Sequence, residues 1–196
     1  MKELVLATRN RFKIEEIRTI LKDLHLEILT LEDFPGIPLL KEDGSTFREN
    51  ALQKARAVHE STKLAALADD SGLEVFYLLG RPGVRSARYA GDGATDESNN
   101  DKLLNEMRGV PPRRRKAQFH AVIAFVGEGY QETTEGICEG KLGESGRGTN
   151  GFGYDPLFIP EGSDRTYAEL TSEEKNRISH RAKALEKMKA VLEKRL

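Results

Sequence analysis

Eight residues constrain this chain more than any others. In Ala68-Asp69-Asp70-Ser71-Gly72-Leu73-Glu74-Val75, two adjacent acids, a hydroxyl and a glycine stand between apolar segments that read as strands. The predicted local structure is a strand end released into a glycine turn. An acid pair there suits a hard divalent cation, because Mg²⁺ takes carboxylate oxygens and keeps waters that a substrate can replace. The same residue types dominate ordinary turns for local backbone reasons. Alone, the stretch reads as a plain hydrophilic turn before it reads as a catalytic one; the other blocks of the chain change that order.

The segments before it alternate between strand and helix. Glu3 to Ala7 reads as a short buried strand, and Ile14, Ile17, Ile20, Leu21 and Leu24 fall at helical spacing. The joining loop, Thr8-Arg9-Asn10-Arg11, brings a hydroxyl, an amide and two guanidiniums to a helix start, with Phe12 and Lys13 following. Free backbone amides and the positive end of the helix dipole make such a start an anion site; an ordinary Asn cap explains it as well. Leu26 to Leu29 reads as a second strand. After a Pro-containing loop ending at Glu42-Asp43-Gly44, Thr46 and Glu49 have capping-box spacing for a helix reaching about Thr62. Phe47, Ala51, Ala55 and Val58 form its buried side, and Asn50 and Lys54 share a face. Lys54 reads either as a phosphate ligand or as a solvated lysine.

Past the acid pair, Leu73 to Leu79 is strand-like, and Arg85 and Arg88 follow a Gly-Arg-Pro-Gly break as an anion clamp or as structural arginines. Thr95 caps a helix to about Met107 that looks structural. Gln118 to Val126 and Tyr130 to Cys138 make a hairpin, with His120 expected as a packed core histidine. The glycine-dense stretch from Gly140 leads into Phe152-Gly153-Tyr154-Asp155-Pro156, where aromatic faces suit the stacking of a base or the filling of a core. Thr171 and Glu174 form a further capping box, and Ser179 is placed to cap a second helical segment beginning at His180-Arg181.

Composition excludes several classes. Lys+Arg 31 against Asp+Glu 32 gives a net charge of −1, which supplies no field for nucleic acid or membrane. The basic run Arg113 to Lys116 remains a local RNA-contact candidate or a solvated loop. The longest apolar run, Ala121 to Val126, is far short of a membrane span. A single cysteine and no signal-peptide pattern give the expectation of a soluble, cytoplasmic protein.

Taken in order, the blocks Thr8-x-Asn10-x-x-Lys13, Thr46-Phe47-x-Glu49-Asn50-Ala51-x-x-Lys54-Ala55, Ala68-Asp69-Asp70-Ser71-Gly72-Leu73, Ser86-Ala87-Arg88-Tyr89, Gly151-Phe152-Gly153-Tyr154-Asp155-Pro156 and Ser179-His180-Arg181 resemble the inosine triphosphate pyrophosphatases over essentially the whole chain. The resemblance implies a single domain over residues 1–196: a two-lobed α/β fold with a long, curved mixed sheet flanked by helices, a nucleotide cleft between lobes, and a homodimer. It implies Mg²⁺-dependent hydrolysis of non-standard purine nucleoside triphosphates to monophosphate and pyrophosphate. Asp70 is implied as the base and, with Glu42 or its neighbour Asp43, as a metal ligand. Thr8, Asn10, Lys13 and Lys54 are implied to hold the triphosphate, and Arg9, Arg11, Phe12 and Ser71 are implied to bind the substrate. Phe152, Gly153, Tyr154, Asp155, Lys175, His180 and Arg181 are implied at the base, with His180 and Arg181 donating to the purine C6 oxygen. A catalytically silent nucleotide-binding regulator on the same fold, and an RNA-binding module, are the alternatives; no stable nucleic-acid or membrane partner is expected.

Overall fold

A computed structural model describes residues 2–196. Eleven elements succeed one another: β1 (Lys2–Leu6), α1 (Arg11–Leu21), β2 (Leu26–Thr30), α2 (Phe47–Thr62), β3 (Ala65–Val75), α3 (Asp96–Glu106), β4 (Lys116–Gly127), β5 (Tyr130–Leu142), β6 (Phe158–Pro160), α4 (Ser172–Ile178) and α5 (His180–Arg195). The strands form one six-stranded sheet in the order β2-β1-β3-β4-β5-β6. Parallel neighbours cannot be joined by a tight turn and need a crossover. Here α1 links β1 to β2, paired from Lys2↔Leu26 to Leu6↔Thr30, and α2 precedes β3, which pairs with β1 from Leu4↔Ala65 to Leu6↔Leu67. At the other edge β6 runs antiparallel to β5, Gly140↔Pro160 to Leu142↔Phe158. The sheet is therefore mixed, as expected.

The chain divides into two compact units: residues up to Asp70 with Ala121–Gly136 and Arg181–Leu196, and Ser71–His120 with Ile137–His180. In the first unit the period-2 alternation of the strands sorts their side chains. Leu4, Leu6, Leu67, Ala121, Ile123 and Phe125 pack against Ile14, Ile17, Ile20 and Leu21 of α1 and Ala184, Leu185 and Met188 of α5. The i, i+3, i+4 spacing in α1 makes this possible, and the Asn10 side chain caps the helix by accepting from Lys13 N at 3.2 Å. Helix α2 buries Phe47, Ala51, Ala55 and Val58 as its sequence predicts. Its Thr46 cap accepts from Glu49 N at 3.1 Å, but the return bond of the expected capping box is shifted by one residue, the Glu49 carboxylate accepting from Ser45 N and Oγ.

The second unit has an aromatic core. Phe119 stacks on His180 with ring centroids 4.7 Å apart and on Tyr167 at 5.6 Å, and Phe158 meets Phe119 edge-on at 4.8 Å. Leu73, Val75, Leu103, Met107, Tyr154 and Leu157 complete it. Arg115, one member of the basic run, is buried and donates to the carbonyls of Met107, Val110, Leu142 and Gly143, while Arg113 and Arg114 stay exposed. The guanidinium fork satisfies backbone acceptors where α3 ends and β5 ends, which no neutral side chain of that length could do.

Three expectations are corrected. The turn predicted at Asp69-Asp70-Ser71-Gly72 is replaced by the unbroken strand β3, whose acids are both buried. Cationic partners on each acid remove the reason for polar residues to leave the sheet. The following strand ends at Val75 and gives way to a 3₁₀ turn at Phe76–Leu78. His120 is half-buried rather than packed in the core, its Nδ1 3.6 Å from the Glu74 carboxylate. Ser179 does separate α4 from α5, in an extended conformation (φ −68°, ψ 154°). Among the described residues no helix is long and apolar enough to cross a membrane.

Candidate active site

Adjacent residues of a strand point to opposite faces, so Asp69 and Asp70 meet different partners. Asp70 faces α2. Its Oδ1 lies 2.8 Å from Lys54 Nζ, and its Oδ2 accepts from Asn50 Nδ2 at 3.1 Å. The same Lys54 ammonium reaches Glu42 Oε1 at 2.6 Å and the Asp69 carbonyl at 2.9 Å. Lys54 is thus no solvated lysine: it is 5 % exposed and gathers two carboxylates from a loop and a strand. Burial works against its charge, but Asp70 and Glu42 outweigh it and raise its pKa. At Asp70 the balance falls the other way, burial pushing the carboxyl above the ordinary Asp range despite the Lys54 charge. A carboxylate raised in this way is better matched to taking up a proton near neutral pH.

Asn50 is the residue missed from the sequence. Fully buried, it donates to Asp70 and accepts from Gly44 N at 2.8 Å, which ties the loop carrying Glu42 to the strand carrying Asp70. A side chain on Gly44 would collide with it, as a Cβ there would lie 2.7 Å from Asn50 Oδ1. The available signal was its i, i+4 relation to Lys54 on one helix face. Of the neighbours Glu42 and Asp43, Asp43 accepts from Gln53 Nε2 at 3.0 Å and Glu42 accepts from Lys54 Nζ at 2.6 Å.

Asp69 is held from the other face. Arg181 Nε and Nη2 approach its two oxygens at 2.9 and 3.4 Å, and Lys13 Nζ lies 2.5 Å from Oδ1. Arg181 also bonds Glu16. Burial would raise Asp69, but Arg181 and Lys13 outweigh it and hold the carboxyl well below the usual carboxylate range. At the start of α1, Thr8 Oγ1 accepts from Asn10 N at 3.1 Å and Arg9 donates to the Ile37 carbonyl at 2.9 Å. Arg11 and Phe12 are exposed.

The residues implied at the base fall in the second unit, Arg181 excepted. Lys175 and Asp155 form a buried ion pair at 2.6 Å, and the Lys175 ammonium stands 5.1 Å from the Phe152 ring centroid and 5.5 Å from that of Tyr167. Asp155 also accepts from Phe152 N at 3.0 Å, and Tyr154 donates its hydroxyl to the Ser86 carbonyl at 2.8 Å. His180 is buried in the ring stack described above. Arg181 belongs to the first unit, where its guanidinium is engaged by Asp69 and Glu16.

The donor set at Glu42 and Asp70 fits Mg²⁺. Among the described residues no group of three or more His, Cys, Asp or Glu is arranged to hold a metal. Two carboxylates fit the habit of Mg²⁺, which takes one or two from protein and fills its octahedron with substrate phosphates and water.

Fold and site define a mixed-sheet α/β protein with a buried carboxylate–ammonium cluster beside its parallel strands. The Ham1 family model matches residues 4–191, and the chain belongs to the Ham1 family. It is 51% identical over 190 residues to the dITP/XTP pyrophosphatase of Geobacter sulfurreducens, covering 96% of each chain, and 45% identical over 194 residues to that of Bacillus subtilis, covering 98% of each. The HAM1 protein structure of Coxiella burnetii superposes with a TM-score of 0.90 at 43% identity, covering 99% of this chain and 100% of its own. The Staphylococcus aureus Ham1 structure does so with 0.88 at 39%, covering 100% of both.

Proposed function

We propose that the chain is a Mg²⁺-dependent nucleoside triphosphate pyrophosphatase acting on non-standard purine nucleotides such as dITP, XTP and ITP. The supporting observation is the Lys54 ammonium drawing Glu42 and Asp70 together at 2.6 and 2.8 Å. Phosphoryl transfer asks little covalent chemistry of a protein and much positioning and charge stabilisation. In this reading Asp70 orients a water and accepts its proton as the water oxygen bonds the alpha phosphorus. The bond to the bridging oxygen breaks, and pyrophosphate leaves with the electron pair. Lys54 and Lys13 offset the phosphate charge, and the first turn of α1, with Thr8 and Asn10, presents backbone amides to it. Bound Mg²⁺ at Glu42 and Asp70 would supply further neutralisation of the triphosphate.

Phe152 stacks on the purine, Asp155 accepts from a ring N–H, and Lys175 and His180 donate to the C6 oxygen. Adenine presents an amino group at that position, so the donors would meet a donor and a buried polar group would be left mismatched. Arg181 enters the proposal as the ion-pair partner of Asp69 instead of a base donor. Homodimeric assembly and a cytoplasmic location belong to the same proposal.

The test is to incubate the protein with inosine triphosphate and Mg²⁺ and identify the products. Equal amounts of monophosphate and pyrophosphate are expected, with solvent ¹⁸O in the monophosphate. Orthophosphate with the diphosphate would move the cleaved bond, and binding without turnover would leave a regulator.

A further inference from the structure

The helix α3 lies outside every motif that carried the functional reading, yet it holds the loop bearing Phe152. Asp96 Oδ2 accepts from Gly153 N at 2.7 Å, and Asn100 Nδ2 donates to Gly153 O at 2.9 Å. Asp96 and Asn100 are four residues apart, which places them on one face of the helix a turn apart. Gly153 is at φ +62°, where a side chain is strained, so the loop has a glycine at the position that both side chains grip.

The consequence lies in the peptide planes. The Gly153 N–H belongs to the plane joining it to Phe152, and the Gly153 carbonyl belongs to the plane joining it to Tyr154. Fixing both planes fixes the backbone on each side of Gly153, and with it the direction in which the Phe152 side chain leaves the chain. Other ties hold the flanks. Asn150 Nδ2 bonds the Leu170 carbonyl at 3.0 Å, and Tyr154 bonds the Ser86 carbonyl. Between those flanks Asp155 closes the turn from within, and the α3 pair grips it from outside.

We infer that Asp96 and Asn100 are positioning residues that set the Phe152 ring for purine stacking by clamping the Gly153 backbone. The inference rests on the reading of Phe152 as part of the base site. In this inference both act through Gly153. Losing one such bond weakens nucleotide binding about five- to tenfold if the ring is released.

Steady-state kinetics with inosine triphosphate decide it. Asp96→Ala and Asn100→Leu are each expected to raise KM about five- to tenfold while kcat falls less than about twofold. Asp96→Asn keeps an oxygen acceptor and is expected to stay within about twofold of the natural protein. In a Phe152→Ala background, Asp96→Ala is expected to add nothing, because the ring it orients is gone. Unchanged KM in Asp96→Ala and Asn100→Leu, or a KM effect of equal size in the Phe152→Ala background, overturns the inference. Should one of the two variants fail to fold, the other decides. A Phe152→Ala protein with unchanged KM would overturn the base-site reading and the clamp with it; a raised KM there with inert clamp variants overturns the clamp alone.

Discussion

Arg181 Nε donates to Asp69 Oδ2 at 2.9 Å across 112 residues of sequence, and both side chains are buried. With Lys13 and Glu16 they make a cluster of two cations and two carboxylates in the first unit. Removing one member of such a cluster leaves an uncompensated charge out of water.

Arg181→Met is therefore expected to lower the unfolding free energy by about 3–5 kcal/mol, as breaking a buried pair does. Arg181→Lys is expected to restore little, since an ammonium cannot span both Asp69 oxygens and Glu16 as the guanidinium fork does. Urea denaturation of these variants and of Asp69→Asn/Arg181→Met measures it, the double variant costing less than the sum of the singles. Additive losses would remove the pairing from the account.

Asp70→Asn is expected to reduce kcat by a hundredfold or more, because the amide cannot take up the proton of the attacking water. Its fold should survive. The raised pKa of Asp70 means that its ionised form costs stability at neutral pH, and Lys54 keeps Glu42 and the Asp69 carbonyl as partners after the change. The Tm measured without Mg²⁺ is expected to be unchanged or higher, whereas Asp69→Asn lowers it. Opposite stability effects from two adjacent acids would be hard to obtain from a shared surface turn.

Glu42→Gln is expected to raise the Mg²⁺ concentration for half-maximal activity about tenfold or more, while Asp43→Asn leaves it within about twofold. Metal titrations of activity make the comparison. A shift confined to Asp43→Asn would transfer the second carboxylate role by one residue.

In the second unit, Glu74 is held below the ordinary Glu range by the His120 side chain first, with Gln118 Nε2 donating at 2.7 Å, against the opposing effect of its partial burial. A folded-state pKa lower than the unfolded value gives stability that is present above the unfolded pKa and is lost as pH falls through the folded one. Glu74→Gln should thus be less stable than the natural protein at pH 7, with the gap closing below about pH 4.5. Denaturant midpoints at several pH values test the sign. A gap that widens on acidification would reverse it.

Much of the fold was legible because its signals are local. Ile14, Ile17, Ile20 and Leu21 specify an amphipathic helix by spacing alone, and Thr46, Thr95 and Thr171 mark helix starts by the bond that each hydroxyl accepts. What stayed hidden depends on partners distant in sequence. Asp69 and Asp70 look like turn residues until Arg181, Lys13 and Lys54 are beside them, and Arg115 looks like one more solvated arginine until four carbonyls surround it. No spacing rule indicated that Lys54 would meet Glu42, or that Asp96 and Asn100 would reach Gly153.

The continuity of β3 makes the division of labour between its acids a matter of parity. Along an unbroken strand, odd and even positions belong to different sides, so Leu67 and Asp69 share one side while Ala68 and Asp70 share the other. Inserting a single residue ahead of the pair would move Asp69 into the slot that faces Lys54 and push Asp70 one slot on, to the opposite side. The chain would still read Asp-Asp, with the same motif letters, yet the carboxyl set beside Lys54 would be the other one. At this strand the identity of the acid beside Lys54 is encoded by counting, and an insertion of two residues should be better tolerated than an insertion of one.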